Sequence, residues 1–217
     1  MSKEVLNKIL EGKIVAIVRG IPSDEVVGLA EALVKGGISC IEVTFDQSSK
    51  EKAEDTLKAI SNLSKALGDR VCVGAGTVMS VQQVEDAAAA GAEYMISPNI
   101  KEAVIARTKE LGKISIPGAM TPSEVVDAYE MGADIVKMFP AGVLGPGYIK
   151  AVKAPLKHIP ITAVGGVNPG NCADFIRAGA VGVGVGGNLV SPQLVKEGRF
   201  DEITAIAQSY TDALKNV

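Results

Sequence analysis

Tryptophan is absent from this chain of 217 residues, histidine occurs once, and aromatic residues make up only 4%. A single histidine counts against a zinc site, which draws on several His or Cys ligands, and against a Ser-His-Asp triad, which would have to rely on that one imidazole. His158, in "KHIP" between two elements, reads as a loop residue. The three cysteines, Cys40, Cys72 and Cys172, are odd in number and far apart, with no CxxC spacing. They signal neither a disulfide framework nor a thiolate metal site, so three core thiols in a reducing compartment are expected. No run approaches the roughly 18 apolar residues of a membrane span, and "MSKEVLNKIL" lacks the apolar core of a signal peptide. A cytoplasmic protein is therefore expected. Basic excess is missing too: the net charge is −3 and the pI near 5.3, which points to neither a nucleic-acid nor a membrane partner.

What the chain does have is 47% apolar and 22% charged residues with 24 glycines, the make-up of a globular protein. Eight β-rich runs recur: "KIVAIVRG" (13 to 20), "CIEVTF" (40 to 45), "VCVGAGT" (71 to 77), "YMISP" (94 to 98), "ISIPGA" (114 to 119), "IVKMFP" (135 to 140), "ITAVGGV" (161 to 167) and "VGVGVGG" (181 to 187). Helical periodicity lies between them. In "SDEVVGLAEALVKGG", Val26, Leu29, Ala30, Leu33 and Val34 share one face and Asp24, Glu25, Glu31 and Lys35 the other. Ser23 is the expected N-cap there and Gly36-Gly37 the stop. "GGIS", "GAEY", "MGAD" and "AGAV" each close a helical pattern with glycine before the next strand.

Eight strands alternating with helices predict a parallel sheet closed as a (β/α)8 TIM barrel, a single domain over 1–217 with a short N-terminal helix. An open doubly wound sheet is the competing architecture. Its GxGxxG turn is missing, since Arg19-Gly20-Ile21-Pro22 stands after the first strand.

Barrel chemistry sits at the carboxyl ends of the strands. The polar residues there are Arg19, Glu42, Thr44, Thr77, Ser97, Asn99 and Lys137, with glycine pairs after the seventh and eighth runs. Lys137 stands out because "DIVKMFP" otherwise reads as a buried strand. An edge strand with a snorkelling lysine would be its structural explanation. Glu42 and Lys137 lie on even-numbered strands, at similar distances from the strand ends, so they are expected to face each other across the mouth. A buried ion pair gains little over an apolar pair, whereas buried titratable pairs mark active sites. A neutral lysine amine attacks a carbonyl and forms a Schiff base, with Glu42 moving protons. At an unperturbed pKa of about 10.4, only about one lysine in a thousand is neutral near pH 7; burial lowers that pKa and a neighbouring carboxylate raises it. The glycines of "VGGVN" and "VGVGGN" offer bare backbone N–H groups where barrels often hold phosphate.

"VAIVRG", "GGISCIEVTF", "VGAGTV", "ISPN", "IPGAMTPSE", "VKMFPAG" and "AVGGVN" together resemble the class I 2-keto-3-deoxy-6-phosphogluconate / 4-hydroxy-2-oxoglutarate aldolases, including the branch acting on the 6-phosphogalactonate epimer. The resemblance spans nearly the entire chain. It implies cleavage of a 2-keto-3-deoxy-6-phospho sugar acid to pyruvate and glyceraldehyde 3-phosphate. It further implies Lys137 as the Schiff-base lysine, Glu42 as the acid/base, and Thr77 as a contact of the pyruvate carboxylate. Arg19, Phe139, Gly166, Gly186 and Gly187 are then placed around the rest of the substrate. A homotrimer without metal or organic cofactor is the assembly it implies.

Three positions depart from that pattern. Asp46 stands where many members carry arginine and is expected to repel a second anionic group. Gly187 replaces a serine of the phosphate loop. "A-V-G-G" replaces "P-T-G-G", so Val164 resembles the galactonate branch, as does Gly145-Pro146-Gly147-Tyr148-Ile149-Lys150-Ala151. A phosphosugar isomerase or epimerase on the same barrel, and a non-catalytic sugar-phosphate sensor, are the competing functions. Borohydride trapping with pyruvate separates the three.

Overall fold

A computed structural model describes residues 2–217. Parallel strands run in the order β5-β4-β3-β2-β1-β9-β8-β7-β6: β1 (Ile14–Val18), β2 (Cys40–Thr44), β3 (Cys72–Gly76), β4 (Tyr94–Ile96), β5 (Ile114–Ile116), β6 (Gly118–Ala119), β7 (Val136–Met138), β8 (Ile161–Val164) and β9 (Gly182–Val185). The two ends of that order, β5 and β6, are consecutive pieces of one stretch separated by Pro117. One piece pairs with β4 and the other with β7, and the barrel thereby closes. The expected single fifth strand is corrected to two segments. Proline lacks an N–H and restricts the residue before it, while the Pro117 carbonyl still accepts from the Lys137 amide at 2.8 Å.

Ten helices are described: α1 (Ser2–Gly12), α2 (Val26–Lys35), α3 (Lys50–Leu67), α4 (Val81–Ala90), α5 (Glu102–Glu110), α6 (Pro122–Glu130), α7 (Ala141–Lys153), α8 (Cys172–Arg177), α9 (Pro192–Lys196) and α10 (Phe200–Leu214). Glycines 37, 91, 132 and 179 follow α2, α4, α6 and α8 with φ between 88° and 109°, the left-handed stop that only glycine adopts without penalty. The expected N-cap at Ser23 is corrected. α2 begins three residues later, after Glu25, and the Ser23 hydroxyl instead donates to Asp55 Oδ1 at 2.6 Å. α7 is broken within itself, because Gly145 takes φ 76° ahead of Pro146.

The strand pleat sorts the apolar residues into two sets. Outward side chains, among them Ile41, Val43, Val136 and Met138, pack against the helices. Inward ones, Val15, Cys40, Cys72, Tyr94, Ile96, Ile114, Ile116 and Ile135, fill the barrel. Val5 and Ile9 of α1 belong to this inner set, so the amphipathic N-terminal helix closes the amino end of the barrel. The three cysteines are buried and free, and His158 lies exposed in a turn, edge-on to Tyr129 at 5.5 Å. Among the described residues, no helix is long and apolar enough to cross a membrane.

Candidate active site

Lys137 is the middle residue of β7, and its neighbours Val136 and Met138 point outward into the helix layer. Period-two alternation therefore turns Lys137 inward. The same alternation on β2 sends Ile41 and Val43 outward and Glu42 inward. The two side chains are 7% and 2% exposed and line the same cleft of about 580 Å³ at the carboxyl mouth, as expected of residues facing each other there. Among the described residues neither has a hydrogen-bond partner, which leaves both free for a ligand. Lys137 Nζ lies 5.0 Å from the centroid of the Phe139 ring.

Burial pushes the Glu42 carboxyl above its ordinary range, with Lys137 and then Arg19 pulling it part of the way back. Burial likewise pushes the Lys137 ammonium down; Glu42 opposes this and Arg19 adds to it. Each group is thus driven toward its neutral form, the state in which an amine attacks a carbonyl and a carboxyl gives up a proton.

Room for the Glu42 carboxylate comes from the neighbouring strand. Gly76 projects beside it, and a Cβ there would lie inside contact distance of Glu42 Oε1. Gly74 makes the equivalent space for the Tyr94 ring. This was a missed signal: glycines two apart in "VGAGTV" empty one face of a strand.

The rest of the cleft includes Ile17, Arg19, Thr77, Pro98, Phe139, Val164, Gly165, Gly166, Gly186, Gly187 and Asn188. Every residue expected at the substrate site is among them. Gly165 belongs to the "VGGVN" glycines already singled out, whereas Ile17, Pro98 and Asn188 were not anticipated; Asn188 adjoins a predicted position, and the other two carry no polar signal. Arg19 donates from Nη2 to Thr77 Oγ1 at 3.4 Å. The Asn188 amide ties the loop after β9 to the loop after β8 through the Val167 carbonyl at 2.9 Å, and within the latter the Asn171 amide holds the Gly166 carbonyl at 3.0 Å. Within this frame the backbone N–H groups of Gly166, Gly186 and Gly187 donate to nothing else among the described residues, an arrangement suited to an anion.

Three strand-end residues stay out of the cleft. The Thr44 hydroxyl donates to the Val18 carbonyl at 3.2 Å and the Ser97 hydroxyl to the Val78 carbonyl at 2.7 Å, so both hold strand ends together. Asn99 is exposed and donates to Ile100. Asp46 also corrects its expectation. It pairs with Lys52 at 2.9 Å and accepts from the Ser48 amide at 2.9 Å, in a separate depression with Asp55. Its charge is neutralised by Lys52 instead of facing the substrate. Among the described residues no group of three His, Cys, Asp or Glu side chains is arranged to hold a metal ion.

A barrel with a buried lysine and glutamate in one cleft at its carboxyl mouth fits an aldolase of the Schiff-base class. More particularly, the chain belongs to the KDPG and KHG aldolase family, which it matches over residues 5–206. It is 35% identical to the 2-dehydro-3-deoxy-6-phosphogalactonate aldolase of Escherichia coli (strain K12), over 93% of this chain and 96% of that one. It is 34% identical to the 2-dehydro-3-deoxy-phosphogluconate aldolase of Treponema pallidum (strain Nichols), over 85% of each. Among solved structures, the KDPG aldolase of Legionella pneumophila, with pyruvate captured as a covalent carbinolamine, superposes with a TM-score of 0.84 at 26% identity, covering 95% of this chain and 97% of that one.

Proposed function

We propose that this chain, acting as one domain in a cytoplasmic homotrimer, cleaves a 2-keto-3-deoxy-6-phospho sugar acid to pyruvate and glyceraldehyde 3-phosphate. The observation that carries the proposal is the desolvated, unbonded pair of Lys137 and Glu42 in one cleft. Lys137 Nζ attacks the C2 carbonyl, Glu42 gives its proton to the departing hydroxyl of the carbinolamine, and loss of water leaves an iminium and the Glu42 carboxylate. Glu42 takes the proton of the C4 hydroxyl as the C3–C4 bond breaks, so the aldehyde leaves and the bonding pair stays on C3 as an enamine. Protonation at C3 gives the pyruvate iminium, and water releases pyruvate and restores the amine.

Thr77 meets the carboxylate end of the substrate, and Arg19, hydrogen-bonded to it, faces the remainder. The free amides of Gly166, Gly186 and Gly187 meet the phosphate, and Phe139 walls the keto acid beside Lys137. The E. coli and T. pallidum relatives support the substrate class, since one is named for the galactonate and the other for the gluconate compound.

Incubation with pyruvate and borohydride, followed by peptide mapping, tests the proposal. The adduct is expected on Lys137; an adduct on Lys150 or Lys153 overturns the assignment, and none at all favours a binding-only sugar-phosphate sensor or an isomerase.

A further inference from the structure

Thr77 takes φ 56°, a left-handed conformation that a β-branched residue rarely adopts and that persists only when its surroundings over-determine it. The surroundings here are specific. The Gln47 side-chain amide, from the turn after β2, donates to the Thr77 carbonyl at 2.8 Å. Gln83 Nε2, on α4, donates to Gln47 Oε1 at 3.0 Å and so fixes the Gln47 amide with its donor toward Thr77. The other oxygen-bearing end of Gln83 accepts from the Met79 amide at 2.8 Å. Val78 is held through its amide to the Ile96 carbonyl at 3.1 Å and through its carbonyl by Ser97. The Met79 carbonyl accepts from Lys101 at 3.2 Å. Each peptide unit from Thr77 to Met79 is therefore tied, and Gln47 alone among the described residues holds the carbonyl of the strained one.

We propose that Gln47, oriented by Gln83, is a positioning residue for substrate binding: the pair of amides holds the turn after β3 in the conformation that aims Thr77 at the carboxylate of the keto acid. Gln47 itself does not line the cleft and touches no reacting atom. The inference rests on the assignment of Thr77 to that carboxylate. Its specific content is the donor: a side chain of equal length without an N–H leaves the Thr77 carbonyl unheld, and Thr77 relaxes toward negative φ with its hydroxyl turned from the cleft.

The test is borohydride trapping at Lys137 across a range of pyruvate concentrations, with kcat and KM for the phosphorylated substrate, in Gln47→Leu, Gln47→Glu, Gln83→Leu, the Gln47→Leu/Gln83→Leu double variant, and Thr77→Val. Gln47→Leu and Gln47→Glu are expected to raise half-saturating pyruvate and KM by about three- to tenfold, the worth of one hydrogen bond, with saturated rates changed less than about twofold. Because Gln83 orients Gln47, the double variant is expected to lose clearly less than the sum of the two single variants. Three results overturn the inference: half-saturation within about twofold of the parent in Gln47→Leu while Thr77→Val exceeds that, full retention in Gln47→Glu, or additive losses in the double variant. If Thr77→Val also leaves half-saturation unchanged, the assignment of Thr77 fails first and the inference falls with it.

Discussion

Burial is the largest influence on the charges of Lys137 and Glu42, and each opposes it in the other, which gives the pH dependence a definite sign. The Glu42 carboxylate holds the Lys137 ammonium up against desolvation. Replacing it by the neutral amide in Glu42→Gln removes that support, so the pH profile of borohydride trapping should move to lower pH, while turnover falls by about 10²- to 10⁴-fold through loss of proton transfer. A profile that stays in place or moves upward would place the controlling carboxylate elsewhere. Lys137→Ala should lose about a hundredfold or more of activity, as a nucleophile's removal requires. The two groups give stability opposite pH dependences. Glu42 has a native pKa above its ordinary 4.5, so the native state binds the extra proton and stability is lost as pH rises through that interval. Lys137 has a native pKa below its ordinary 10.5, so its burden is full at low pH and lifts as pH rises toward that value. At pH 7 both groups are strained, and Glu42→Met/Lys137→Met should be more stable than the parent by about 1–4 kcal/mol in urea unfolding, although either change alone leaves a buried partner uncompensated. Val164, 5% exposed at the cleft wall, can only pack against a substrate, and packing discriminates weakly. The kcat/KM ratio of the gluconate and galactonate epimers should accordingly stay within about a hundredfold.

Strands and turns carry the next level of control. Gly76 on β3 exists in the space that Glu42 on β2 needs, so Gly76→Ala should displace the carboxylate and lower kcat by about a hundredfold, with about 1–3 kcal/mol of overpacking; a variant that keeps full activity would show that Glu42 does not have to sit there. Gly187 is the reverse case, since nothing lies within 4 Å of a Cβ at that position. Gly187→Ser is expected to add a hydroxyl donor and lower KM for phosphorylated substrates about three- to tenfold, leaving the unphosphorylated forms unchanged. These elements also mark how far the chain could be read without its structure. The barrel, the inward turn of Glu42 and Lys137 and the glycine helix stops were legible because they follow from alternation and φ, which are local. Pro117 was readable as a breaker, yet which neighbour each half joins depends on β4 and β7. Ser23 has the chemistry of a cap, but Asp55, 32 residues away, claims its hydroxyl. Asp46 was misread for a similar reason: the residue that neutralises it, Lys52, belongs to the next helix. Gln47 and Gln83 carry no pattern in sequence at all, because their meaning lies in one carbonyl of a third segment.

At the scale of the molecule, Met79, Met120, Phe139 and Val143 leave apolar surface at or near the carboxyl end, with Val143 82% exposed. Association can cover such residues, and for the homotrimer proposed above sedimentation is expected to give three times the 22.4 kDa of one chain; a monomer at micromolar concentration would remove the trimer from the proposal. The N-terminal helix matters in another way. By seating Val5 and Ile9 under the side chains that fill the barrel, it backs a cul-de-sac, with one doorway for both traffic directions. In the proposed binding mode a substrate tethered at Lys137 keeps its pyruvyl half covalently held while the aldehyde half, which carries the phosphate, is free to leave by that doorway, so the two fragments queue. The aldehyde must depart before water reaches the imine, and the keto acid always leaves last. Steady-state inhibition should show the order, with pyruvate competitive against substrate and the triose phosphate not.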